Sequence, residues 1–175
     1  MAGEEIDLRP VSRITIDAIG QPGKRIFYLQ GWQDNRSVTL IVEKLQVQSL
    51  AVGLDQFMTE VRQQFPEISD VNDDFTADQM RIQPPVDPLF RVGELGLGYD
   101  AESDLVVLVA REVIAEDQDP AEAKAVRFWC SRAQMVAMCR WGMEVASQGR
   151  PNCPQCGEPM DPEGHFCPKK NGHKH

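Results

Sequence analysis

Cys153, Cys156, His165 and Cys167 are the residues of this sequence whose types and spacing best suit chemistry. The first two sit in Cys-Pro-Gln-Cys-Gly and the second two in Gly-His-Phe-Cys-Pro. Three thiolates and an imidazole make a four-ligand set for tetrahedral Zn²⁺. Pro154 and Gly157 tighten the first knuckle, and Pro159, Pro162 and Gly164 turn the chain back toward the second. Met160 and Phe166 are among the few apolar residues here, so burial alone cannot order the segment. Metal coordination can, at about 10–16 kcal/mol in zinc-finger peptides. The spacing therefore predicts one structural zinc per chain. Two other readings stand beside it: a catalytic or regulatory metal on the same ligands, and a redox Cys153–Cys156 pair. A thioredoxin-type pair opens a helix, which Pro154, Gly157 and Pro159 oppose. Asp161 is the substitute ligand should His165 not bind; His173 and His175 lie beyond the second knuckle.

The chain around this tail has 175 residues, 42% hydrophobic and 26% charged, which suits one domain with a small appendage. Its net charge of -9 repels phosphate backbones and anionic lipid. In the tail, Arg150, Lys169, Lys170 and Lys174 are offset by Glu158, Asp161 and Glu163, so nucleic-acid binding is disfavoured. Glu4, Glu5 and Asp7 interrupt any signal peptide, and no apolar run approaches a membrane span. Five cysteines, three of them assigned to metal, suit a reducing cytoplasm.

The elements that must carry the tail are legible in outline. Residues 1–10 read as a flexible N-terminus. Strands are predicted over 11–18, 25–33 and 37–43, then a helix over 44–65 with Val47, Leu50, Ala51, Leu54, Phe57, Met58, Val61 and Phe65 forming one apolar stripe. Pro66 stops it. Residues 66–88 read as an acidic, solvated linker; Asp70, Asn72 and Asp74 alternate as in a calcium loop. Phe75 and Arg81 then stand where an EF-hand needs Gly and Glu. Strands follow over 89–99, 105–110 and 125–130, with Asp100–Asp104 as the hairpin turn. A second helix opens on the capping box Ser131-x-x-Gln134 and ends at Gly149. Cys130 and Cys139 read as small buried side chains.

Both halves, about 11–65 and 89–148, thus read strand, strand, strand, helix, with Gln46 and Gln134 at matching junctions. The fold class predicted is α+β: two β-β-β-α half-repeats forming a largely antiparallel sheet covered by two helices over 11–148. A zinc-ribbon-like tail over 149–175 follows.

The run from Gly149 to Gly157, the run Pro159 to Pro168 and the ending Asn171-Gly172 resemble the C-terminus of an uncharacterised bacterial family, domain-of-unknown-function family 3090. Gly98-Tyr99-Asp100 and Gln46 extend the resemblance through the chain. Lys169-Lys170 departs from the more arginine-containing pair expected there and leaves the ligands intact. The resemblance implies a soluble bacterial protein, often encoded near a phosphomutase-like and a kinase-like protein. It implies no activity.

The function favoured by these residues is a non-enzymatic interaction or scaffold protein with a structural zinc site and a protein partner. All three histidines lie in the tail, and no phosphate loop or Ser/His/Asp arrangement appears. One alternative is an enzyme or small-ligand protein using a cleft between the half-repeats, with Arg25, Arg91, Asp100 and Arg111 as its polar residues. The other is a nucleic-acid-binding zinc ribbon.

Overall fold

Alternating apolar residues build the first meander of the sheet. In the computed structural model, which describes residues 3–21, 23–72 and 74–148, three antiparallel strands follow one another: β2 (Arg13–Ile19), β3 (Ile26–Gln33) and β4 (Arg36–Val42). Ile16, Leu29 and Leu40 share one row and are fully buried. The second meander is β5 (Pro88–Asp100), β6 (Leu105–Glu112) and β7 (Ala125–Cys130). Its inner row, Leu97, Leu108 and Phe128, continues the same face. β4 and β5 lie side by side and parallel, so everything between them is a crossover connection.

A seventh strand corrects the expectation of a flexible N-terminus. β1 (Glu5–Leu8) runs parallel to β7, giving a mixed sheet ordered β1-β7-β6-β5-β4-β3-β2. Four residues are too few to show a period. The acidic residues that read as a solvated tail have partners: Arg127 reaches Glu5 and Asp7 at 3.5 and 3.6 Å, and the Trp129 indole donates to Asp7 at 3.1 Å. Leu8 is fully buried beneath them. The strand also covers the edge that β7 would otherwise leave open.

The sheet curls on itself. Val11 N–H donates to Trp129 O at 2.8 Å and Ser12 N–H to Trp32 O at 2.7 Å, so the link from β1 to β2 ties β7 to β3.

Helices α1 (Lys44–Gln64) and α3 (Arg132–Ser147) cover the apolar face. Both open as the sequence predicts, on a glutamine at the third helical position. Gln46 accepts from Glu43 N–H through Oε1 and donates to Val92 O through Nε2, at 2.8 and 2.9 Å. Gln134 accepts from Ser131 N–H at 2.8 Å and donates to Val11 O at 3.2 Å. Each glutamine therefore caps a helix and pins it to the chain beside the sheet. Gly142 lets α3 approach both neighbours: a Cβ there would lie 3.1 Å from Val47 and 3.4 Å from Ile16. The α+β class holds, with a mixed sheet. The two halves share an element order and this capping device, and neither establishes a duplicated repeat.

The linker is largely exposed, as its composition predicts, but it is not without structure. It carries α2 (Ala77–Met80), capped by Thr76, with Met80 buried. The outer face of the first meander holds a buried polar row, Thr15, Gln30 and Thr39, which burial obliges to find partners. The linker backbone supplies them for Thr15 and Gln30, and Gln30 in turn donates to Thr39. Thr15 Oγ1 donates to Met80 O at 2.5 Å, Ile82 N–H donates to Asp17 at 2.9 Å, and Gln30 exchanges two bonds with Gln83 at 3.0 and 2.8 Å. At the former calcium-like alternation, Asn72 accepts from Asp74 N–H at 3.0 Å, an Asx turn.

Candidate functional site

The zinc set Cys153, Cys156, His165 and Cys167 lies outside the described residues, as does Asp161. The body's predicted polar residues are described, and the fold scatters them. Arg25 donates to Val145 O at 2.6 Å near the end of α3 and lies 5.3 Å over Phe27. Arg91 pairs with Glu43 on the surface. Asp100 accepts from Arg9 at 2.6 Å. Arg111 is exposed on β6, opposite Glu94 and Ala125. These four form no shared site.

Cys130 and Cys139 are buried free thiols. Burial pushes Cys139 up to about 12, and it raises Cys130 as well. Both thiols stay protonated and pack as small apolar groups, not as nucleophiles.

One polar constellation among the described residues is not revealed by periodicity. At the β5–β6 hairpin Asp104 adopts a left-handed backbone, φ 53°. Its carboxylate accepts from Arg132 Nε and Nη2 at 2.8 and 3.0 Å, and from Tyr99 O–H at 2.7 Å. Arg132 is 3% exposed and gives a further bond to Ser69 O at 2.7 Å. The Arg132 bonds hold Asp104 below the usual carboxylate range. Burial first, then the bond to Asp104, raises Tyr99 to about 12. Arg132 links the second helix, the hairpin and the linker, a fixing role. The signal available beforehand was an arginine directly after the Ser131 cap and an aspartate in the turn.

Two grooves flank α1. Between α1 and α3 runs one of about 570 Å³ over Leu54, Met58, Phe75, Val136, Cys139 and Met143. Asp55, Arg62, Arg140 and Glu144 also line it. Between α1 and β5 lies a second of about 360 Å³, lined by Leu45, Leu50, Leu95 and Leu97 and by Gly53, Gly93 and Gly96. A Cβ at Gly53 or Gly96 would meet open space, so these glycines thin the wall without close packing. Leu45 is 72% exposed, and Val52, two helical turns on, is 71% exposed. What these surfaces offer is apolar area.

A family profile described as protein of unknown function (DUF3090) matches residues 6–167, from within β1 through the last cysteine of the tail. No curated protein and no solved structure matches the chain.

Proposed function

From the premise that the chain belongs to this DUF3090 family, whose shared unit spans body and tail, we propose that it is a zinc-binding interaction protein. The α1–β5 groove receives a protein segment, and the tail holds one structural zinc ion through Cys153, Cys156, His165 and Cys167. The observation that carries the first part is Leu45, largely exposed where it lines the groove with Leu95 and Leu97, with Val52 exposed two turns further along α1. Aliphatic side chains held in water beside a groove favour association with apolar partner groups. The net charge of -9 favours a partner with basic flanks and opposes nucleic acid. For the second part, the donor set of three thiols and one imidazole suits zinc, which when bound supplies ordering energy. No helix among the described residues is long and apolar enough to cross a membrane.

Site-specific photo-crosslinking in cells tests the groove. A crosslinking residue at position 45 should yield a discrete protein adduct that Val52→Glu abolishes. The same residue at Val109, which alternates away from the helix-covered face, should not yield it. Equal adducts from positions 45 and 109, or none from either, would reject the α1–β5 surface as the partner site.

A further inference from the structure

The α1–α3 groove differs from the α1–β5 groove in where it ends. Glu144 and Ser147, in the last turn of α3, line it. The chain leaves α3 at Gln148 with 175−148 = 27 residues still to come. From Ala51 to Arg62 the groove follows α1 for eleven residues, about 16 Å at 1.5 Å per residue. Twenty-seven residues, at up to about 3.3 Å each, can turn back and cover that length several times over.

The chemistry of the two surfaces matches. The groove floor is apolar: Leu54 and Met58 are buried at its base, and Met143 is 38% exposed. The following segment contains Met160 and Phe166, whose apolar surface a small metal module cannot bury by itself. Asp55 and Glu144 on the groove complement Lys169, Lys170 and Lys174, while Arg62 complements Glu158, Asp161 and Glu163. The family match crosses the junction at Gln148 without a break and ends at Cys167, so body and tail form one shared unit.

We propose that the tail, residues 149–175, seats in the α1–α3 groove of its own chain, with its metal module held against Met58 and Met143. The proposal rests on the zinc reading above. It gives the helix layer a third member and leaves the α1–β5 groove for the partner.

Full-length protein stripped of metal and reloaded with Co²⁺ tests it, because Co²⁺ reports both its ligands and its surroundings. A visible spectrum of tetrahedral cobalt–thiolate coordination, lost in Cys156→Ser, verifies the metal site. In the same sample the methyl resonances of Met58 and Met143 should shift and broaden, while those of Val109 should not. Met143→Lys should reduce the Met58 shift and leave the cobalt spectrum unchanged. The shifts should be independent of protein concentration. A tetrahedral cobalt spectrum with undisturbed Met58 and Met143 overturns the seating and spares the zinc reading. Loss of the shifts on dilution overturns seating within one chain and assigns the groove to the tail of a second copy. Absence of the cobalt spectrum overturns both.

Discussion

Gly31 on β3 lies directly against Phe128 on β7: a Cβ at Gly31 would stand 2.5 Å from the ring's Cδ1. The two strands are separated by three others in the sheet order. Their contact records the curl that brings the two ends of the sheet together. Phe128 is fully buried, so a methyl at Gly31 would press on a ring enclosed by the core. Gly31→Ala should therefore destabilise the protein by about 1–3 kcal/mol, the cost of overpacking a closed core. Urea unfolding monitored by tryptophan fluorescence measures it, and combining the change with Phe128→Leu should recover part of the loss.

Arg132 and Asp104 should give the protein an acid-sensitive element. Asp104 is held below its ordinary value by its bonds from Arg132. Its contribution is fully present above the unfolded carboxylate pKa of about 3.9 and is lost as pH falls through the lower folded value. Asp104→Asn should weaken the protein at neutral pH by about 1.5–3 kcal/mol, toward the lower end because Asp104 is 49% exposed. It should also flatten the stability profile below pH ~4 relative to the unsubstituted chain. Chemical denaturation across that pH range shows whether it does.

Tyr99 acts at the opposite end of the scale. Burial and the Asp104 bond raise it to about 12. The neutral phenol is favoured in the folded state, so this contribution is present below the unfolded value of about 10 and lost as pH rises toward 12. Tyr99→Phe should remove that alkaline slope, read from thermal midpoints between pH ~9 and ~12.

Gln30 is the polar anchor of the linker. Its side chain exchanges bonds with Gln83 and donates to Thr39 at 3.1 Å from a fully buried position. Gln30→Leu leaves the Gln83 N–H and C=O without these partners and should cost about 1–3 kcal/mol. Hydrogen exchange should rise most over residues 80–85, and unchanged protection there would mean the linker is held by Met80 packing instead.

Metal analysis of untagged protein, purified without chelator, should give about one zinc per chain. Cys156→Ser should lower that ratio toward zero while the cooperative unfolding of the body persists, since residues 5–147 carry their own sheet, helices and core. Titration with single- and double-stranded oligonucleotides at about 150 mM salt should show no saturable binding, as the -9 charge opposes approach.

What the sequence determined by itself was local. The strands of both meanders, the apolar stripe of the first long helix and the Ser131-x-x-Gln134 cap follow from periods and spacings that a window of residues contains. The three cysteines and one histidine from which a zinc site is proposed likewise lie within fifteen residues of the sequence. Other features depended on residues far apart in the chain. Glu5, Ile6, Asp7 and Leu8 are too short a run to announce a strand; they form one because β7 offers an edge and Arg127 offers a partner to both acids. The linker looked solvated because its composition is polar, but the Thr15–Gln30–Thr39 row needs its backbone. Arg25, Arg91, Asp100 and Arg111 shared a residue chemistry and not a place. Arg132 and Asp104, unremarked in the pattern, meet because β6 and β7 pair with Val106 opposite Cys130, which sets the residue two before Val106 across from the residue two after Cys130. Periodicity encodes which face a side chain takes. Only the closed packing of the whole chain decides what stands opposite it.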